Sequence, residues 1–146
     1  MPATHLSLNV HLVFSTKDRA PVIREDIITD THAYIGGVAR TLGAIPLQVG
    51  GVADHVHILL GIKATHSIAN LVQEIKKHSN SWVQERVAGF TWQPGYGGYS
   101  VSPERVSGVI KYIQNQEEHH KSMSFAEERI MLLKLAGIEF DPDKLD

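Results

Sequence analysis

The stretch Ala53-Asp54-His55-Val56-His57-Ile58-Leu59-Leu60 admits few folds. Apolar residues alternate with two histidines at i and i+2, which reads as a strand and not as a helix. Side chains alternate across a strand. Val56, Ile58 and Leu60 therefore face a core, and His55 and His57 share the opposite face, about 6–7 Å apart at Cα. Two half-buried strand histidines satisfy this pattern, and so does half of a metal site.

The flanking segments supply the rest of a sheet. From His5 to Ser15, Leu6, Leu8, Val10, Leu12 and Phe14 fall on one side, and His5, Ser7, Asn9, His11 and Val13 on the other. That is a long half-buried strand. The basic loop Lys17-Asp18-Arg19-Ala20-Pro21 leads to a helix expected from about Glu25 to Leu42, with Gly43 as its stop. Ile45, Leu47 and Val49 mark a second strand, and Gly50-Gly51 the bend into the histidine strand. A second helix, about Ser67 to Arg86, carries the stripe Ile68, Leu71, Val72, Ile75, Ser79, Trp82 and Val83. The Gly- and aromatic-rich run Phe90 to Tyr99 leads to a short strand, Tyr99 to Ser102. Ser102 is placed to N-cap a helix with Pro103 at its first position, expected to run to about His120. A last helix, about Ser124 to Ala136, ends at Gly137, and a polar tail follows.

The order strand, helix, strand, strand, helix, strand, then helices predicts an α+β fold. It is the ferredoxin-like, split βαβ pattern: a central antiparallel sheet with flanking helices. The first and third strands then pair at the sheet centre. The expected organisation is one domain over 1–146, with a core of about 5–120 and a C-terminal helix and acidic tail over 121–146.

Composition bounds the function more loosely. With no cysteine there is no disulfide framework and no thiol chemistry. There is no bilayer-length apolar run and no signal-peptide pattern at Met1-Pro2-Ala3-Thr4, so the expectation is a cytoplasmic protein without membrane contact. The net charge of −2 demands no nucleic acid, although the acid excess gathers after residue 116 and leaves a mildly basic body. Lys76 and Lys77 lie off the apolar stripe of the second helix, and Arg86 at its end. A solvated face accounts for any one of them; together they are candidate phosphate contacts. Nine histidines are many for 146 residues and direct attention to metal or proton chemistry.

On the helix from Pro103, Val106, Val109, Ile110 and Ile113 form the buried stripe. Arg105, Gly108, Tyr112, Gln116 and His119 gather on its flank. Tyr112 and Gln116 are one turn apart and point the same way. A core-edge tyrosine is one outcome. Another is a site in which two imidazoles and the Gln116 amide oxygen hold a hard divalent ion, Mg²⁺ or Mn²⁺. That ion could bind a phosphate within reach of the tyrosine oxygen.

These motifs together resemble the HUH-type single-tyrosine transposases of the insertion sequence 200/605 family. The HUH motif is His55-Val56-His57, and the tyrosine motif is Tyr112-Ile113-Gln114-Asn115-Gln116. Val13-Phe14-Ser15-Thr16-Lys17, Gln93-Pro94-Gly95-Tyr96 and Ser100-Val101-Ser102-Pro103 are similar as well, so the likeness runs from about Leu6 to His120. The resemblance implies His55, His57 and Gln116 as metal ligands and Tyr112 as nucleophile. It implies cleavage and rejoining of single-stranded DNA at hairpin-bearing ends through a 5′-phosphotyrosine. It also implies a homodimer, with active sites expected to be shared in trans. His11, Asp54 and His119 are candidate supporting residues. Two other readings are a domesticated hairpin-nicking relative or rolling-circle-type nickase, and an RRM-like RNA-binding module without catalysis. The RNP1 pattern that an RRM needs is absent.

Overall fold

The computed structural model describes residues 3–145. Among these, four strands form one antiparallel sheet: β1 (Asn9–Ser15), β2 (Ile45–Val52), β3 (His55–Gly61) and β4 (Gly97–Val101), in the order β2-β3-β1-β4. Helices α1 (Glu25–Thr41) and α2 (Ile68–Gln84) are the crossovers. This is the expected split βαβ arrangement, with the histidine strand and the first strand side by side at the centre.

Alternation sorts the sheet into two faces. Val10, Leu12, Phe14, Val56, Ile58 and Leu60 are buried on one, against Ile27, Ile35 and Ala39 of α1 and Leu71, Val72, Ile75 and Val83 of α2. Each buried aliphatic side chain of this kind contributes roughly 1.5–3 kcal/mol. The other face carries His11, Val13 and Ser15 of β1 directly across from Leu59, His57 and His55 of β3. It is covered by α3 (Val106–Gln114), whose Ile113 packs with Leu59 and Val101, and by α5 (Phe125–Leu135).

Three local readings change. β1 starts at Asn9, not His5, because the ladder ends at the Asn9–Gly61 pair; Leu6 and Leu8 are 55% and 42% exposed. The helix expected to run from Pro103 to His120 is in pieces. A 3-10 turn at Pro103–Arg105 precedes α3, and Asn115, with φ −96° and ψ 17°, separates α3 from the short α4 (Gln116–His119). Ser102 makes no side-chain cap bond, since the chain enters through that 3-10 turn. Ser124, in contrast, forms a full capping box with Glu127 at the start of α5.

Two glycines of β2 permit close backbone approaches, one to α3 and one to β3. A Cβ on Gly50 would stand 2.7 Å from Ile113 Cγ2 and 2.8 Å from the Ile113 carbonyl, so α3 rests directly on the β2 backbone. Gly51, within β2 and paired with Val56, has φ +148°, and a Cβ there would meet the His55 carbonyl at 2.3 Å. The aromatic loop before β4 is anchored inward. Trp92 is buried edge-on to Phe14 and donates its indole N–H to Ser79 Oγ at 2.9 Å.

Candidate active site

His55 and His57 are fully buried at the centre of the sheet, and their ring centroids are 5.0 Å apart. Each imidazole is fixed from behind. The His55 Nδ1–H donates to Asp54 Oδ1 at 2.7 Å, and His57 Nδ1 lies 2.8 Å from His11 Nε2, where one of the two donates. Both Nε2 atoms therefore point away from the strand toward α4 and α5. Gln116 begins α4 and is buried, with Oε1 3.0 Å from His55 Nε2. Tyr112 packs edge-on to His57, ring centroids 5.6 Å apart, within the same chain. The kink at Asn115 does not separate the pair: the Gln116 amide donates to the Tyr112 carbonyl at 3.4 Å.

Two further residues complete the cluster. Glu128, on α5, is completely buried, with Oε1 3.1 Å from Nε2 of both His55 and His57. Its Oε2 accepts hydrogen bonds from the Tyr112 hydroxyl and, at 3.1 Å, from the Gln116 amide. His120 follows α4. Its Nδ1–H donates to the Met123 carbonyl at 2.7 Å, leaving Nε2 3.1 Å from Glu128 Oε1 and 3.0 Å from Gln116 Oε1. His119 stands at the rim, with Nε2 3.4 Å from Glu128 Oε2 and its ring 5.3 Å from that of Tyr112.

The charges are strongly coupled. Burial disfavours a proton on His55, but hydrogen bonds with Asp54 and Glu128 outweigh it and lift its pKa to about 9. Burial dominates at His57 and lowers it. His11 falls to about 3, through burial and the facing His57. Glu128 resists burial through the hydrogen bonds from His55, His57 and Tyr112, which hold it ionised well below the usual carboxylate range. Burial, and then the neighbouring Glu128, push the Tyr112 phenol up. His55, His57, His120 and Glu128 each bring a ligand atom within 4.8 Å of the others, a grouping that could hold a metal ion.

Of the residues singled out from the sequence, His55, His57, Gln116, Tyr112, His11, Asp54 and His119 all meet here. Lys76, Lys77 and Arg86 are engaged differently from one another. The Lys76 ammonium donates to the Gln93 and Gly95 carbonyls at 2.8 and 2.6 Å, and burial lowers its pKa to about 8. Arg86 lies over the Trp82 ring, 3.6 Å from its centroid, and Lys77 is exposed. Glu128 and His120 were not anticipated. The available signal was an acid at the middle of the stripe Phe125, Glu128, Leu132, and a histidine one turn beyond Gln116.

Residues 4–116 match the family described as IS200-like transposases. The chain belongs to that family. Among curated proteins, it is 24% identical to the ISDra2 transposase TnpA of Deinococcus radiodurans over 119 residues, 76% of this chain and 85% of the relative. Two solved structures share the fold. One, from Deinococcus radiodurans and described as a candidate transposase, has a TM-score of 0.65 at 24% identity and covers 80% of this chain and 95% of that one. The other is the REP-associated tyrosine transposase bound to a REP hairpin, with a TM-score of 0.62 at 13% identity, covering 82% and 73%. Membership of this transposase family carries DNA cleavage and strand transfer with it. Among the described residues, no helix of this transposase is long and apolar enough to cross a membrane.

Proposed function

We propose that this transposase cleaves and rejoins single-stranded DNA at hairpin-bearing ends, with Tyr112 as nucleophile and His55, His57 and Gln116 holding a divalent cation, Mg²⁺ or Mn²⁺. One observation carries the reading: the Tyr112 hydroxyl bonds the carboxylate that also meets Nε2 of both motif histidines. The donor set fits a cation. With Nδ1–H given to Asp54, a neutral His55 presents a lone pair at Nε2, and the Gln116 carbonyl oxygen lies beside it. A bound cation would supply positive charge against the scissile phosphate.

Tyr112 Oη attacks the phosphorus in line, and the bond from phosphorus to the 3′ oxygen breaks. A 5′-phosphotyrosine forms, and the leaving 3′ oxygen takes up a proton. The phenol's raised pKa means that its proton leaves only as attack proceeds, and Glu128 Oε2 already accepts that hydrogen bond. Attack by another 3′-hydroxyl rejoins the strands. The bond energy is stored throughout in the phosphotyrosine, so no nucleotide cofactor is needed. Aromatic side chains Tyr96 and Tyr99 line a cleft with Phe125 beside the histidines, where bases of the strand can stack. The hairpin in the REP-associated structure supports a hairpin substrate.

The test is incubation with hairpin oligonucleotides labelled at either end, plus Mn²⁺. A covalent adduct carrying only the 3′-side label is expected, and Tyr112→Phe removes it while hairpin binding stays within about twofold, because packing is kept. An adduct persisting in Tyr112→Phe refutes the nucleophile. We also propose a homodimer that exchanges the α3 segment, so that sites are shared in trans. A His55→Ala, His57→Ala protein mixed with Tyr112→Phe then regains cleavage, with DNA attached to the histidine-mutant chain. Inactive heterodimers reject sharing.

A further inference from the structure

We propose, resting on the reading above that His55, His57 and Gln116 hold a divalent cation, that His120 and Glu128 are ligands of the same ion, which gives this chain a nitrogen-rich site selecting manganese, cobalt or zinc over magnesium. Both residues lie beyond the stretch 4–116 that matches the family. They come instead from the chain leaving α4 and from α5.

The tautomers favour ligation. A carbonyl can only accept, so the bond from His120 to Met123 O puts the proton on Nδ1 and leaves Nε2 as a lone pair when the ring is neutral. His55 is set the same way by Asp54. Two imidazole lone pairs, the Nε2 of His57, a carbonyl oxygen and a carboxylate oxygen are thus gathered in a buried space. One ligand atom from each of His55, His57, His120 and Glu128 lies within 4.8 Å of the other three. Without positive charge between them these groups repel.

The spacing also matches. Ligands at right angles, with bonds of about 2.1 Å, stand about 3.0 Å apart, whereas tetrahedral neighbours stand about 3.4 Å apart. The Nε2 atoms of His55, His57 and His120 are each 3.1 Å from Glu128 Oε1, and those of His55 and His120 are each 3.0 Å from Gln116 Oε1. Imidazole nitrogen suits zinc, cobalt and manganese, while magnesium prefers oxygen and retains its water.

Glu128 joins that ion to the nucleophile. Its Oε1 faces the imidazoles while Oε2 takes the Tyr112 hydroxyl, so one carboxylate sets the distance between metal and phenol.

The experiment loads full-length protein with Mn²⁺ and counts coordinated imidazoles by pulsed electron paramagnetic resonance through their nitrogen couplings. Titration calorimetry with Mn²⁺, Co²⁺ and Mg²⁺ alone runs beside it. Three imidazoles are expected in the wild type, two in His120→Gln, and Co²⁺ binding at least about a hundredfold tighter than Mg²⁺. Glu128→Ala is expected to weaken Mn²⁺ at least about tenfold, with the metal-free thermal transition checking that it folds. Two imidazoles in the wild type, or equal or tighter Mn²⁺ binding by Glu128→Ala, overturns the proposal and leaves the three-ligand reading standing. Failure of the wild type to bind any of the ions overturns both.

Discussion

Gly50 separates the positioning of the nucleophile from its chemistry. Gly50→Ala places a methyl 2.7 Å from Ile113 Cγ2 and 2.8 Å from the Ile113 carbonyl oxygen. Ordinary carbon contacts begin near ~3.5 Å, so α3 must lift by about 0.8 Å. The side chain alone cannot relieve this, because the backbone oxygen is equally close. Overpacking of this kind costs about 1–3 kcal/mol. Tyr112 adjoins Ile113 and moves with it, and a misplacement near 1 Å lowers rates by up to about a hundredfold. We expect Gly50→Ala to lose about 1–3 kcal/mol in urea denaturation and tenfold or more in single-turnover cleavage, with DNA binding retained. Ile113→Ala in the same protein relieves only the Cγ2 contact and restores little. A Gly50→Ala protein as stable and as fast as the wild type would show that α3 does not rest on β2 as described.

Chelation is expected to abolish cleavage, as are His55→Ala and His57→Ala, while Gln116→Ala reduces it less because water can replace a neutral amide; full-rate cleavage by chelated protein refutes the metal. Lys77→Ala is expected to lower the log–log salt slope of DNA binding by about one, whereas Lys76→Ala lowers the melting temperature by freeing the 93–95 loop; the reverse pattern would exchange their roles. His32 has its pKa lowered to about 4 by burial. The unfolded imidazole takes a proton near 6.5 and the folded one only near 4. Stability is thus intact above about pH 6.5 and is lost toward pH 4, by up to about 3 kcal/mol, and His32→Gln should flatten that part of the profile. An unchanged profile in His32→Gln removes His32 as the cause.

The legible parts of this chain were those in which a short pattern settles the geometry. The i, i+2 histidines had to share a face once Val56 and Ile58 entered the core, and Tyr112 and Gln116 had to converge at one helical turn. The order of elements was enough for the topology because the split βαβ pattern leaves the histidine strand and β1 at the centre. Other features depended on partners remote in sequence. The kink at Asn115 has neither proline nor glycine to mark it, and an asparagine inside a continuing apolar period is only a weak stop. β1 is shorter than its alternation because β3 ends at Gly61, which the residues from His5 to Leu8 cannot reveal. Lys76 looked like a surface cation until the loop at 93–95 folded over it. Glu128 on α5 reads as an ordinary helical acid, and only the tertiary approach of α5 to the sheet turns it into the residue that meets both histidines.

The separation in sequence of these partners has a kinetic side. His11 and His57 are 46 residues apart, and His57 and Glu128 are 71. The contacts that join β1, β3 and the α3–α5 segment must each wait for a long loop to close, which is the slow part of folding. A chain emerging from the ribosome can pair β1, β3 and β4 before α5 exists. The buried anion then arrives last, into a space already lined by imidazoles. The nascent protein thus has a sheet before it has a working centre, and premature release leaves a folded platform without Glu128.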